Sequence, residues 1–301
     1  MATMSDEPDF DAATGLVFSA RERDLGGFSV GRVLPYTRRR MVGPFIFLDH
    51  LGPLQLPAPV PRTADVRPHP HIGLATVTYL MAGEITHRDS LGVEQLIRPG
   101  EVNWMTAGRG ISHSERFDSM RDSGGTLHGL QAWVALPDAV EETEPAFEHY
   151  GREQIPTITL PAVSGSLIAG AAFGATSAVR TLSPLFYAHL ELKPGARVEL
   201  PDEYPERAAY IVSGAVEWGG KVHEAKTMLV FPEGAPVALS APGRATVMVL
   251  GGEPVGPRHI WWNFVSSRKD RIEEAKADWA AGRMPLPTLD SAEWIPLPEG
   301  L

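Results

Sequence analysis

There is no cysteine among the 301 residues. Disulfides, thiolate metal sites, iron–sulfur clusters and thiol nucleophiles are therefore excluded, and any metal has to be held by histidine and carboxylate side chains. Positive charge is in short supply: 27 Lys and Arg against 37 Asp and Glu give a formal net charge of -10, which argues against a nucleic-acid footprint. No uninterrupted apolar run reaches spanning length, and the acidic stretch from Met1 to Phe10 lacks the basic and apolar regions of a signal peptide. These absences imply a cytoplasmic protein that binds neither nucleic acid nor membrane.

What is present in quantity is turn chemistry. Thirty glycines and 27 prolines punctuate short β-rich runs such as Phe45-Ile46-Phe47-Leu48, Leu74 to Met81 and Gly129 to Leu136, the rhythm of an all-β sandwich or barrel. From Ala139 to Pro161 the chain becomes acidic and proline-punctuated, which reads as a solvated linker, and strands resume from about Gly165 to Gly252. The boundaries expected are a first domain over 1–138, a linker over 139–164, a second domain over 165–265, and a helix and tail over 266–301. The final segment differs in period. Ser267 with Asp270 reads as a capping box, Ile272, Ala275 and Trp279 recur at helical spacing, Gly282 suits a left-handed exit, and Pro285 blocks continuation. Trp261-Trp262-Asn263-Phe264 before it reads as an anchoring strand.

The two halves superpose weakly as sequences. Tyr79 to Ile85 matches Tyr210 to Val216, a strand, a turn glycine and the start of the next strand. Counted without gaps, His69 and His71 fall on Leu200 and Asp202, and His113 and Glu115 on Leu239 and Ala241. The second copy keeps the scaffold and lacks the polar residues.

Those polar residues carry the chemistry. In an extended strand alternate side chains share a face, so His69 pairs with His71 and His113 with Glu115. Two strands can then aim three imidazoles and a carboxylate at one point, a shell for a divalent transition metal. The spacing leaves the metal open among iron, manganese, cobalt, nickel, copper and zinc, and the oxygen donor tilts it toward iron or manganese. If the strand ran straight on from His71, Gly73, Ala75, Val77 and Tyr79 would face the same interior. Arg109 lies in a glycine turn and reads as solvated. His50, His87 and His128 read as structural, with His128 the nearest to a supporting role.

Phe47-Leu48-Asp49-His50, His69-Pro70-His71-Ile72-Gly73, Trp104 to Ile111, His113-Ser114-Glu115 and Gly129 to Trp133 together resemble the pirin family of the cupin superfamily. The run from Arg258 to Phe264 and the helix after it resemble bacterial members. The resemblance implies a bicupin: two antiparallel β-barrels face to face, a C-terminal α-helix, and one iron-type metal, most readily Fe(II), in the N-terminal barrel alone. It implies His69, His71, His113 and Glu115 as ligands, with Glu115 also the catalytic base. General cupins place a glutamate four residues after the second histidine; Ala75 stands there instead. Bacterial members resemble quercetin 2,3-dioxygenases, which implies a flavonol-like substrate and dioxygen. The competing implication is a non-enzymatic metal or redox sensor acting on a protein partner.

Overall fold

The computed structural model describes residues 15–299, so the acidic Met1–Phe10 stretch lies outside the described residues. The described residues form two compact units, one built from residues 22–155 and 255–299 and the other from residues 15–21 and 156–254. Among the described residues, no helix is long and apolar enough to cross a membrane.

The first unit has a seven-stranded sheet in the order Ala146–Tyr150, Val102–Thr106, Leu74–Ala82, Gly125–Ala135, Phe45–Leu56, Ser29–Leu34 and Arg21–Asp24. Its four-stranded sheet runs Val66–His71, Ile111–Arg116, Ile85–Asp89 and Glu94–Ile97. The two share an interior. Leu51, Leu80 and Leu127 from the larger sheet pack with Ile85 and Ile97 from the smaller in one apolar cluster, and Phe47, Leu74, Met105 and Trp133 pack with Ile111 in another. Alternation along each strand sends these side chains inward, and burying them is the main favourable term in forming the unit.

The second unit repeats the plan. Seven consecutive strands starting at Val66 and seven starting at Arg197 are dealt to their two sheets in the same pattern, which gives the order Arg197–Glu199, Ala238–Ser240, Ala215–Trp218, Lys221–Glu224 for the second small sheet. The internal repeat is real, and strand pairing refines its register. His113 lies opposite His69 in the first unit and Leu239 opposite Val198 in the second, so Val198, two residues before the Leu200 of the gap-free count, occupies the His69 position. Both replacements are buried in an apolar cluster.

Strand pairing redraws the boundaries expected from composition. Leu16–Ser19 hydrogen-bonds to Thr227–Val230 and so belongs to the second unit. The acidic 139–164 segment is no solvated linker. Ala146–Tyr150 extends the first unit's large sheet beside Val102–Thr106, and Thr157–Leu160 opens the second unit's sheet beside Val163–Ala172. Glu141 in it is buried and accepts hydrogen bonds from the amide and hydroxyl of Ser267 at 2.7 and 2.6 Å. The hairpin of His259–Trp261 and Phe264–Ser266 returns to the first unit, where Ile72 bridges Phe264. Composition reports solvent preference averaged over a window; a sheet edge or one buried carboxylate overrides it locally through unsatisfied backbone groups that must pair.

The C-terminal helix spans Lys269–Ala280. Ser267 does not cap it, because its hydroxyl donates to Glu141, and Arg268 takes the N-cap position without a side-chain cap. The exit is as expected, with Gly282 at φ +67. Ile272, Ala275 and Trp279 are buried against Ile72 and Phe264, and the Trp279 Nε1 hydrogen bonds to the carbonyl of Ile295 at 2.9 Å. Since Trp279 contributes both apolar area and a satisfied indole N–H, Trp279→Ala is expected to cost roughly 3 to 5 kcal/mol of stability, read as a shift of the chemical denaturation midpoint. A midpoint equal to that of the wild type would show that the helix face contributes nothing to the fold.

Candidate metal centre

Val66–His71 and Ile111–Arg116 lie side by side in the small sheet with His113 opposite His69. Pro68 and Pro70 give this strand two residues with no N–H to donate, which suits its place at the sheet edge. The pairing and the alternation bring the rings of His69, His71 and His113 together. Ring centroids are 5.0 Å apart for His69 and His71, 4.4 Å for His69 and His113, and 5.1 Å for His71 and His113. One nitrogen from each lies within 4.8 Å of one from each of the others, and all three residues are buried.

The hydrogen bonds decide what these nitrogens can do. His69 Nδ1 donates to the Arg67 carbonyl at 2.9 Å, which leaves its Nε2 as a lone pair. His113 Nδ1 faces His87 Nδ1 at 3.2 Å, and its Nε2 is buried with no hydrogen-bond partner. His71 has only a weak backbone contact to Asn263, and neither of its nitrogens makes a hydrogen bond of normal geometry. Burial holds the pKa of His69 down to about 4 and those of His71 and His113 well below the ordinary 6.5, with the neighbouring imidazoles adding to the effect in all three. Three neutral imidazoles with converging nitrogens, those of His71 and the Nε2 of His113 being buried without partners, are a donor set that fits a divalent transition metal.

Glu115 stands apart from that trio. It follows His113 on the same face, but the partner strand bulges so that Glu115 lies opposite Val66. Its carboxyl is not among the donor atoms within 4.8 Å of one another. Burial pushes its pKa up to about 7, partly offset by a hydrogen bond to Gln131.

Gln131 belongs to a polar row running across the large sheet. Arg32, Asp49, Gln131, Thr78, Asn103 and His149 are register neighbours on six successive strands. Arg32 holds Asp49 through two hydrogen bonds of 2.9 and 2.8 Å, Thr78 donates to Gln131 at 2.8 Å, and His149 contacts Asn103 at 2.8 Å. The next inward row is Phe47, Trp133, Thr76, Met105 and Phe147, and Trp133 meets the edge of His71 at 5.1 Å. Thr76 and Thr78 therefore face the site, and Ala75, Val77 and Tyr79 point to the other side, against the expectation from straight continuation. Gly73 is the cause. It sits at φ +69 between strands of two different sheets, where a Cβ would collide with the Val265 carbonyl oxygen, and the bend it makes shifts the inward face by one residue.

The outer face of Ile111–Arg116 is equally engaged. Ser112 donates to the Pro285 carbonyl at 2.5 Å, Ser114 to Asp290 at 2.6 Å, and Arg116 grips Asp290 at 2.7 and 2.9 Å and Glu293 at 3.1 Å. The segment after the helix is thus strapped to the back of the strand that presents His113. His50 and His128 contact each other at 2.9 Å through their Nε2 atoms, and Arg109 is exposed and paired with Glu144. Neither group joins the trio. His87, which reads as structural in the sequence, is the further histidine that the strands bring against the trio, its Nδ1 3.2 Å from His113 Nδ1. Its signal was available in His87-Arg88-Asp89, another alternating pair on one strand face.

Family models described as "Pirin" and "Pirin C-terminal cupin domain" match residues 27–134 and 187–285. A pirin-like protein of Caulobacter vibrioides is 60% identical over 94% of this chain and 99% of its own length. The chain belongs to the pirin family. Its fold is accordingly the cupin-type two-domain fold of pirins. A Pseudomonas aeruginosa protein provisionally named quercetin 2,3-dioxygenase is 38% identical over 91% of this chain and 86% of its own. The crystal structure of quercetin 2,3-dioxygenase from Acinetobacter baumannii, 33% identical, superposes with a TM-score of 0.86 over 96% of this chain and 97% of that one.

Stability of the metal-free protein should report the enclosed Glu115. Its folded pKa, about 7, lies above the ordinary 4.5, so its contribution is full below pH 4.5 and is lost as pH rises through 7. Glu115→Gln carries no such loss. The stability of this variant relative to the wild type should rise by roughly 1 to 3 kcal/mol between pH 4.5 and 8, measured by denaturant titration in chelator; a difference that stays flat with pH would mean the carboxyl is solvated.

Proposed function

We propose that this pirin is a metal-dependent dioxygenase that cleaves flavonols such as quercetin at the 2,3 position, with His69, His71, His113 and Glu115 holding Fe(II). The observation that carries the reading is the combination of three neutral, converging imidazoles with a neighbouring carboxyl whose pKa is near 7. Similarity to the Acinetobacter baumannii quercetin 2,3-dioxygenase along nearly the whole chain supports the choice of reaction. Bound there, the metal supplies polarisation of the substrate oxygen and redox chemistry toward dioxygen.

The chain's own residues have separate tasks. The imidazoles need lose no proton at neutral pH before they can serve as donors. Glu115, ionised once a metal is held, would take the proton of the flavonol 3-hydroxyl, and Gln131 orients its carboxyl. Trp133 and Phe47, stacked at 4.0 Å, offer an aromatic wall for a planar substrate. The polar row that includes Gln131, Thr78 and Asn103 offers partners for phenolic hydroxyls. Both oxygen atoms of dioxygen enter the cleaved product, and the ring carbon that carried the hydroxyl leaves as carbon monoxide.

Two experiments test this. Purified protein loaded anaerobically with Fe(II) is expected to hold about one metal per chain, and His71→Ala and His113→Ala to lose it while staying folded. At pH 6 metal uptake should release about one proton, from Glu115, and Glu115→Gln should release none; equal release from the two would remove Glu115 from the shell. In turnover, quercetin and dioxygen should disappear as carbon monoxide appears, and Glu115→Gln should slow this by about 100- to 10,000-fold. A metal-loaded protein that leaves a flavonol panel untouched would overturn the enzymatic reading.

A further inference from the structure

A neutral imidazole has one nitrogen that carries hydrogen and one that carries a lone pair, and a metal can use only the second. Which nitrogen of His113 is free depends on its neighbour. His113 Nδ1 and His87 Nδ1 face each other at 3.2 Å, so one donates and the other accepts. His87 Nε2 in turn faces Asp89 Oδ2 at 2.9 Å. Both residues are buried, Asp89 at 1% exposure.

The Asp89 carboxylate is itself fixed. Its Oδ1 accepts the amide hydrogens of Leu91 and Val93 at 2.9 and 3.2 Å, within the tight turn that ends the strand. Its Oδ2 is therefore left as an acceptor aimed at His87. Hydrogen must sit on His87 Nε2, because the reverse tautomer would point a lone pair at a carboxylate oxygen. In a neutral His87 ring Nδ1 is then an acceptor, the hydrogen of the 3.2 Å contact sits on His113 Nδ1, and His113 Nε2 is left bare in the space it shares with His69 and His71. Phe147 stacks on His87 at 4.3 Å with an interplanar angle of 18° and holds the ring plane that this chain of contacts needs.

We propose that His87 and Asp89 are a positioning pair that sets the tautomer and ring orientation of His113, and thereby the donor that His113 presents to the metal. The inference rests on the reading of His69, His71 and His113 as metal donors. It adds two residues that never touch the metal themselves. Outer partners of this kind fix ring orientation and raise donor basicity in metal sites generally, and their loss typically costs 10- to 100-fold in affinity.

Asp89→Asn is the discriminating variant. The amide keeps the size of the side chain, and its oxygen can remain on the Leu91 and Val93 amides, so its NH2 turns to His87 Nε2. Every hydrogen in the chain then moves by one place, and His113 ends with hydrogen on Nε2. Long-range proton–nitrogen correlation spectra of the metal-free protein, labelled with nitrogen-15, read the tautomers directly. The wild type should show hydrogen on His87 Nε2 and His113 Nδ1, and Asp89→Asn the opposite pair. Co(II) affinity, measured by chelator competition, should fall by about 10- to 100-fold in Asp89→Asn. It should fall similarly in His87→Phe, which keeps the stacking on Phe147 and removes both nitrogens. Hydrogen on His113 Nε2 in the wild type would overturn the proposal without any variant. So would Co(II) binding at wild-type strength by both variants. A wild type that binds no Co(II) would instead fail the metal reading, with the tautomer spectrum still deciding the role of the pair.

Discussion

Keeping three imidazoles neutral and close together in a dry interior is the constraint on which this site depends. Three like charges within 4.8 Å of one another would repel strongly where solvent cannot screen them, and burial removes that difficulty by holding His69, His71 and His113 unprotonated at neutral pH. The same burial costs something elsewhere. It leaves polar nitrogens without partners and keeps Glu115 protonated far above its ordinary range. A cation held among these residues would satisfy the nitrogens and favour the ionised form of a nearby carboxyl.

The strand Ile111–Arg116 carries that arrangement on both faces. Inward it presents Ile111, His113 and Glu115; outward it presents Ser112, Ser114 and Arg116, each bound to the segment after the C-terminal helix. Arg116 is buried between Asp290 on one side and Asp65, at 3.6 Å, on the other. Side chains that must hold a metal to a few tenths of an ångström are supported best by elements that cannot shift, and a strand gripped from behind through three alternate residues is such an element. The C-terminal 255–299 segment is thereby part of the unit that holds the three histidines, although it follows the second unit in sequence.

The two units show how one scaffold serves opposite ends. Both deal their strands to their sheets in the same order, yet the paired positions are His69 and His113 in one and Val198 and Leu239 in the other. Where the imidazoles leave the first interior partly polar, the second is filled with aliphatic side chains. Apolar side chains at these positions gain burial energy directly, whereas buried imidazole nitrogens without partners cost it.

The sequence by itself determined the class of fold and the sharing of one strand face by His69 with His71 and by His113 with Glu115, because strand alternation is a local property that needs no knowledge of the rest of the chain; the pairing that sets His113 opposite His69 came from the tertiary structure. It also determined the helix face of Ile272, Ala275 and Trp279, for the same reason at a different period. Only the tertiary structure decided the rest. The assignment of Leu16–Ser19, of Ala146–Tyr150 and of the 255–265 hairpin to their units rests on backbone pairing between distant segments, which composition does not encode. The inward face after His71 depended on a single bend at Gly73, and one residue of error there moved the lining from Ala75 to Thr76 and Thr78. The place of His87 and Asp89 beside His113 came from the register of two neighbouring strands, a relation between residues 26 positions apart that a motif read along one strand cannot show.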